Sequence, residues 1–228
     1  MPKTIGMIGG LSPESTITYY EHITRGCCLR TGNYPNIVIR SVDLTAYTAW
    51  FSAGEWDRAG NDMAAIFEQM RSIGVDFGLI CANTPHRALP IVESGTRLPI
   101  LSIIDATADG ITKAEINTVA LLGTKFTMKE DFYRKGLSDR GITAVVPNDN
   151  EMEAVNRVIY EELVKGMIKD ESRGLVKSVI ERLIDEGAQG VILGCTELPL
   201  LIGQKDLSVP VFDTTRIHAE AALNKALE

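Results

Sequence analysis

The stretch that decides the fold occurs twice in the chain, as GLICANT at residues 78–84 and as VILGCTE at residues 191–197. In each copy a run of small and apolar residues, typical of a buried strand, ends in polar residues. Two further pairs repeat in the same order, TIGMIG (4–9) with TVALLG (118–123) and LPI (98–100) with VPV (209–211). The shifts are nearly equal: 113 positions (from 78 to 191), 114 (from 4 to 118) and 111 (from 98 to 209). The chain is therefore predicted to contain two similar halves.

Short apolar runs alternate with amphipathic helical stretches, which is typical of parallel βαβ units. Several runs are continuously apolar, as expected for strands that are covered on both faces. The predicted strands are Thr4–Ile8, Ile37–Ser41, Phe77–Cys81, Ile100–Ile103, Thr118–Leu122, Thr143–Val146, Val191–Gly194 and Val209–Phe212. The predicted helices are Glu14–Arg30, Trp56–Ile73, Lys129–Arg140, Asp149–Lys165 and Leu175–Glu186.

The predicted fold class is α/β, with two pseudo-symmetric, doubly wound domains that each contain a parallel sheet. The first half is expected to span residues 1–102, with a C-terminal helix at 213–228 that packs back on it, and the second half residues 103–212. Ligands of parallel sheets bind at the carboxyl ends of the strands. We therefore expect the active site in the cleft between the domains, next to the polar residues that follow the repeated strands.

Composition and charge exclude several classes of protein. The 228 residues are 45% hydrophobic and 23% charged, as in soluble globular proteins. The net charge of −7 argues against a nucleic-acid surface, although it allows a small anionic ligand. We expect no membrane partner and a cytoplasmic location, because the sequence contains no apolar run long enough for a membrane span and no signal-peptide pattern. The spacing of the four cysteines suits neither a disulfide framework nor a metal site, so free thiols are expected.

Four segments carry a resemblance to a known family: IGMIGGLSPESTITYYEHI (5–23), CANTPH (81–86), LLGTKFTM (121–128) and GVILGCTELPLLI (190–202). On these segments the chain resembles the cofactor-independent aspartate/glutamate racemases. The resemblance implies a homodimer, no pyridoxal phosphate, no metal, and a small amino acid substrate with an anionic carboxylate. It also implies one cysteine in each half. One thiolate removes the α-proton from one face of the substrate, and the other thiol returns a proton to the opposite face.

The chain departs from this pattern at one of the two cysteines. The family cysteine of the first half would stand directly before Asn83 and Thr84, where this chain has Ala82. Cys81 lies one residue earlier, so its side chain should point to the opposite face, into packing. A local bulge would be needed to bring Cys81 into the site. Cys195 is therefore the predicted catalytic residue, and Ala82 marks the position of the missing second acid/base.

Hydroxyl and amide side chains in the strand-end loops are the candidate substrate ligands. Such residues also serve ordinary turn and capping roles, which is the alternative for each of them. Glu197 is expected to orient a neighbouring group or the substrate ammonium, or to cap a helix. His86 could polarise the substrate, or it could act as a cap or a surface contact. Arg40, Lys125 and Lys165 are available for a second substrate carboxylate, and the sequence assigns none of them. The predicted substrate-binding residues are Asn83, Thr84, Thr196, Glu197, Ser12, Thr124 and Thr127.

The leading functional prediction is an isomerase, namely a racemase that acts on amino acids without pyridoxal phosphate. Loss of one acid/base group commonly costs about 10²- to 10⁴-fold in rate, so weak racemisation is expected. Two alternatives remain open. One is a single-cysteine decarboxylase similar to arylmalonate decarboxylase, in which loss of CO₂ forms the carbanion and one thiol protonates it. The other is an amino-acid-binding protein that has lost catalysis.

Overall fold

The structure, a computed structural model, describes residues 2–228 of the chain. The chain divides into two compact units. One unit contains the residues up to Ala106 together with Thr215–Glu228, and the other contains Thr107–Thr214. The domain boundaries inferred from the sequence stay predictions.

The first unit is built on a four-stranded parallel sheet with the strand order β2-β1-β3-β4. Its two central strands, β1 and β3, are buried along their whole length, which explains their continuous apolar sequence. The edge strand β2 is partly exposed. The strands are β1 (Ile5–Gly9), β2 (Ile37–Ser41), β3 (Phe77–Ile80) and β4 (Ile100–Leu101).

Helix α1 shows how sequence sets a helix boundary in this unit. Ser12 caps its N-terminus by accepting a hydrogen bond from the amide of Ser15, and Gly32, with φ of 74°, ends it. Its buried residues recur every four positions, from Ser15 to Cys27, and pack on the sheet. The helices are α1 (Pro13–Thr31), α2 (Leu44–Ser52), α3 (Trp56–Ser72), α4 (Leu89–Gly95), α5 (Ile103–Lys113), which crosses into the second unit, and α11 (Thr214–Leu227).

The second unit has the same architecture, with the strand order β6-β5-β7-β8 and all strands parallel. Its apolar core lies between the sheet and helices α8 and α9. The strands are β5 (Thr118–Gly123), β6 (Thr143–Val145), β7 (Gly190–Gly194) and β8 (Val211–Asp213). The helices are α6 (Lys125–Lys129), α7 (Asp131–Ser138), α8 (Asp149–Arg157), α9 (Asp170–Asp185) and α10 (Leu198–Leu201).

The internal repeat of the sequence is a repeat of the fold. Ile8 pairs with Ile80 in the first sheet, and Leu122 pairs with Leu193 in the second. Ala82 and Cys195 each follow the paired residue of the second strand by two positions. The predicted α/β class, with one parallel sheet in each of two similar domains, is confirmed.

Several segments differ from the elements predicted for them. The predicted strand Ile100–Ile103 is wrong at its end, because Ile103 begins α5 and Ser102 accepts a hydrogen bond from the amide of Asp105. The predicted continuous helix Asp149–Lys165 is wrong after Arg157, where a π-turn (Val158–Glu162) and a 3₁₀ turn (Leu163–Lys165) follow α8. Helix α2 was not predicted, although its N-cap Asp43 is a helix-start signal. Helices α4, α5, α6 and α10 were not predicted either.

The helices described between residues 2 and 228 all fall short of the length and apolar character that crossing a membrane requires.

Candidate functional site

The candidate site in the second unit is the loop that follows β7. Strand β7 is buried on both faces and delivers Cys195 to the end of the core, where its side chain packs among apolar residues and is only 6% exposed. The next residues turn at once into the short helix α10, with the amide of Leu198 bonded to the carbonyl of Cys195. The thiol is thereby placed on a short segment at the carboxyl end of a central strand.

A buried carboxylate lies directly beside this thiol. The Sγ of Cys195 donates a hydrogen bond to Oε2 of Glu197 at 3.0 Å, and the hydroxyl of Thr196 donates to the same oxygen at 2.7 Å. Glu197 is only 5% exposed. Burial, followed by the negative charge of Glu197 and the hydrogen bond to it, raises the pKa of Cys195 well above its usual value. The resting state of Cys195 is therefore the protonated thiol.

A tyrosine from the π-turn lies near this pair. Burial raises the pKa of the Tyr160 phenol, and the charges of Cys195 and Glu197 raise it further. Tyr160 nevertheless keeps 44% of its surface exposed. The sequence reasoning missed Tyr160, since the irregular turn that carries it lies inside what reads as a continuous helical pattern. Such π-turns are frequent at functional sites.

The loop after β5 carries the other candidates of the second unit. Thr124 caps α6 and accepts a hydrogen bond from the amide of Thr127, and the two hydroxyls lie 3.2 Å apart. Thr127 is fully buried, and Thr124 is 8% exposed. Thr124 therefore has a capping role in this structure, and the hydroxyl of Thr127 bonds that of Thr124. Lys125 forms an ion pair with Glu153.

In the first unit the equivalent loop follows β3. Ala82 is buried, with 6% of its surface exposed, and presents only a methyl group where Cys195 presents a thiol. Asn83 is 4% exposed, whereas Thr84, which begins a 3₁₀ turn (Thr84–Ala88), is half-buried. Cys81 packs in the core among Phe77, Leu79 and the helices on that face, as the alternation of side chains predicts. Burial raises the pKa of the Cys81 thiol far above its usual range, which makes it a poor acid/base.

The first loop of this unit, Gly9–Ser12, links β1 to α1. Gly10 adopts φ of 83°, and a Cβ there would come within 2.5 Å of the carbonyl oxygen of Val42, so only glycine fits this tight turn. Ser12 is 6% exposed and caps α1. His86 is 2% exposed, which excludes the surface contact considered for it, and its Nδ1 donates to the carbonyl of Ala82. Arg40 lies exposed on the edge strand β2.

No group of three or more histidine, cysteine, aspartate or glutamate side chains within residues 2–228 is arranged to hold a metal ion.

The sequence as a whole matches the family model for Asp/Glu/hydantoin racemases over residues 8–222. The chain belongs to this family. The match covers both repeated halves, and the family name describes racemases, which are isomerases.

Solved structures of similar proteins give the same result. A Yersinia pestis protein classed with the Asp/Glu racemases is 41% identical, covers 99% of this chain and 100% of its own, and superposes with a TM-score of 0.94. An aspartate racemase homologue from Pyrococcus horikoshii is 39% identical over the whole of both chains, with a TM-score of 0.86. A Gly74Cys mutant of arylmalonate decarboxylase is 13% identical over 98% of this chain and 93% of its own, with a TM-score of 0.56, which is a likeness of fold.

Proposed function

We propose that this protein is an amino acid isomerase of the racemase family, in which Cys195 exchanges the α-proton on one face of the substrate without pyridoxal phosphate. The observation that supports this most is the hydrogen bond from the Cys195 thiol to the buried Glu197 carboxylate at the carboxyl end of β7. A thiol and a carboxylate in direct contact form an acid/base pair that can hold a proton in either of two places.

The proton transfers follow from this pair. At rest the proton is on sulfur, because burial and the neighbouring carboxylate raise the pKa of Cys195. When Glu197 accepts that proton, the resulting thiolate is a strong base, since it is poorly solvated, and it removes the α-proton of the amino acid to regenerate the thiol. The electron pair of the broken C–H bond moves into the α-carboxylate. In the reverse direction the thiol protonates the carbanion.

The developing negative charge on the α-carboxylate needs hydrogen-bond donors. We propose the backbone amides of the strand-end loops for this role, with Asn83, Thr84 and Thr196 as side-chain ligands. Ser12, Thr124 and Thr127 contribute by holding their loops in place, because Ser12 and Thr124 cap helices and the hydroxyl of Thr127 bonds that of Thr124. The predictions of a shared cleft, a homodimer and a cytoplasmic location stay predictions.

The methyl group of Ala82 limits what the first half can contribute. It neither accepts nor donates a proton, so the two faces of a bound amino acid meet different chemistry. We therefore expect α-proton exchange with solvent to be faster than inversion of configuration. Racemisation requires a further proton carrier, such as a water molecule, at the position of Ala82.

Incubation with L- and D-amino acids in D₂O tests this proposal directly. Proton NMR follows loss of the α-proton signal, while chiral chromatography follows the enantiomer content. Exchange that exceeds inversion supports the proposal, and equal rates would show that a second acid/base exists. If no amino acid of the panel exchanges its α-proton, although ligands still raise the melting temperature of the protein, the racemase proposal fails in favour of a binding role.

One observation favours a second candidate, a decarboxylase. A single thiol that is protonated at rest is suited to protonating a carbanion, and decarboxylation needs only that one proton transfer. In such a reaction the C–C bond to a carboxylate breaks, CO₂ leaves, and the electron pair that remains on carbon takes the thiol proton. Release of CO₂ from substituted malonates, with no exchange of amino acid α-protons, would establish this alternative.

A further inference from the structure

Two buried histidines occupy the place where strands β3 and β4 separate. The pairing of the two strands ends at Leu79 and Leu101, so the carbonyl and amide groups beyond that point need other partners. His86 and His218 lie there with their ring centroids 6.0 Å apart, and they are 2% and 0% exposed. Both belong to the first unit, although the chain supplies them from distant segments.

His86 joins the two strand ends through both of its ring nitrogens. Its Nδ1 lies 2.8 Å from the carbonyl oxygen of Ala82, and its Nε2 lies 3.2 Å from the amide nitrogen of Ile103. Because a carbonyl only accepts and an amide N–H only donates, Nδ1 carries the hydrogen and Nε2 accepts. The ring is therefore neutral and in a single tautomer.

His218 connects the same region to the two helices on one face of the sheet. Its Nε2 donates to the carbonyl of Leu101 at 2.9 Å, so its Nδ1 accepts from the hydroxyl of Tyr19 at 2.8 Å. Burial lowers the pKa of His86 to about 4 and that of His218 to about 3, the latter with a contribution from the neighbouring ring. Both imidazoles stay neutral at physiological pH, as their bonding requires.

We propose that His86 is a positioning residue, whose neutral ring bridges the Ala82 carbonyl and the Ile103 amide and so fixes the backbone at position 82 and at Asn83. The proposal rests on the proposed function in one respect, namely that this loop contacts the substrate. The bridge replaces the ladder hydrogen bonds that end at Leu79 and Leu101. As a result, the loop after β3 leaves the sheet at this point, and the hydrogen bonds of His86 still fix its position.

The protonation of His86, and with it the two hydrogen bonds of its ring, depends on the titratable groups nearby. His86 contacts the ring of His218 on α11, and His218 in turn bonds the hydroxyl of Tyr19 on α1. The adjoining helices α4 and α5 carry Glu93 and Asp105, and burial together with the charge of Asp105 raises the pKa of Glu93. Protonation of His86 would place a hydrogen on Nε2, which then could no longer accept from Ile103.

Two substitutions of His86 separate positioning from simple packing. In His86→Gln the side-chain amide can donate to Ala82 and accept from Ile103, but it does not titrate. In His86→Leu the volume is nearly kept and both hydrogen bonds are lost. Hydrogen exchange of the Ile103 amide reports the hydrogen bond from this amide to Nε2 of His86, and the measurement does not depend on any activity. His22→Gln is the matched control, because this partly buried histidine of α1 bonds Glu220 and not the strand ends.

The effect on position 82 is measured with a thiol introduced by Ala82→Cys in each background. Its rate of alkylation by iodoacetamide, resolved from Cys81 by peptide mass spectrometry, reports how that position is held. We expect His86→Leu to speed amide exchange at Ile103 by about 10-fold or more, the effect of one lost buried hydrogen bond, and to change the alkylation rate by a similar factor. His86→Gln should stay within about 2-fold of the parent in both, since it keeps the two bonds.

Three outcomes are distinguishable. Equal exchange and alkylation in His86→Leu and the parent would overturn the proposal, as would a His86→Gln variant that behaves like His86→Leu. If the amino acid assays find no activity in the wild type while the two backbone measurements differ as expected, the positioning role stands and the proposed function fails. If activity is present, kcat should fall more than KM rises in His86→Leu and recover in His86→Gln.

Discussion

The loops that follow β3 and β7 begin at equivalent backbone positions, but their buried polar contacts differ. In the second unit the residue after the strand is a thiol, and a buried carboxylate bonds it at 3.0 Å. In the first unit the equivalent residue is Ala82, and the neighbouring buried polar group is an imidazole that bonds the backbone carbonyl at 2.8 Å. The first contact thus joins two side chains, whereas the second joins a side chain to the main chain.

This difference shows that a repeated fold need not repeat its buried polar contacts. In the second unit the carboxylate of Glu197 accepts hydrogen bonds from two side chains, those of Cys195 and Thr196. In the first unit the imidazole of His86 bonds main-chain groups beyond the last ladder pair, which must be satisfied because they are buried. The hydrogen bonds of His86 therefore do not depend on the side chain at position 82.

The largest expected effect comes from removing the thiol of the second unit. Cys195→Ala should lower the rate of α-proton exchange by about 10²- to 10⁴-fold, the usual contribution of an acid/base group. Proton NMR in D₂O measures the rate. Cys28→Ala, which removes a thiol from helix α1, is the control and should leave the rate unchanged. An unchanged rate in Cys195→Ala would show that Cys195 does not exchange the α-proton.

The second largest effect is expected from a substitution that gives both halves of the chain a thiol after the central strand. Ala82→Cys places a second thiol at the equivalent position and should raise the ratio of inversion to exchange by about 10²-fold, because each face then has its own acid/base. Chiral chromatography together with the NMR assay gives that ratio. Ala82→Ser is the matched control, since a hydroxyl of similar size is far less acidic. A ratio that stays constant in Ala82→Cys would mean that position 82 does not reach the substrate.

The sequence predicted more of the fold than of the contacts in the candidate site. The repeat of TIGMIG and TVALLG located one central strand of each sheet, β1 and β5, because buried parallel strands have continuous apolar sequences. The contact of Cys195 with Glu197 is not visible in the sequence, since Glu197 could equally have capped α10. The pairing of His86 with His218 joins residues from the two ends of the first unit, and no local pattern reports such a contact.

Acid should destabilise the first strand end. The pKa values of His86 and His218 are about 4 and about 3 in the folded protein, against about 6.5 in an unfolded chain, because burial disfavours the charged ring. Stability from a lowered pKa is fully present above pH 6.5 and is lost as the pH falls toward the folded value, since only the unfolded chain takes up the protons. We expect the free energy of unfolding to decrease by about 2 to 4 kcal/mol from pH 7 to pH 5.

Urea unfolding at a series of pH values measures this decrease. His86→Gln should remove about half of the slope between pH 5 and pH 6.5, since one of the two buried imidazoles no longer titrates. The carboxyls with lowered pKa, such as Glu68 and Glu151, titrate at lower pH and do not contribute in this window. An unchanged slope in His86→Gln would show that the imidazole is not held neutral.

A smaller effect is expected from the carboxylate of the second strand end. The charge of Glu197 raises the pKa of Cys195, so Glu197→Gln should lower that pKa and speed alkylation of Cys195 at pH 8 by about 10-fold. The same substitution should slow α-proton exchange, because the amide cannot accept the thiol proton. Thr196→Val removes the other donor to Glu197 but keeps the charge of Glu197, so it shows how much of the change in alkylation rate comes from that charge. Slower alkylation in Glu197→Gln would contradict the direction of the effect.

The smallest effects compare the two capping residues at the starts of the equivalent helices. Ser12→Ala and Thr124→Ala each remove the side-chain acceptor at a helix N-terminus and should lower the free energy of unfolding by about 1 kcal/mol. Ser12→Gly and Thr124→Gly should cost only a few tenths of a kcal/mol, because glycine tolerates the cap position. If these loops also bind the substrate carboxylate, the alanine variants should raise KM for amino acid exchange more than they lower kcat. A loss of stability with unchanged KM would restrict Ser12 and Thr124 to capping, and the carboxylate would then be bound by the loop amides together with Asn83, Thr84 and Thr196.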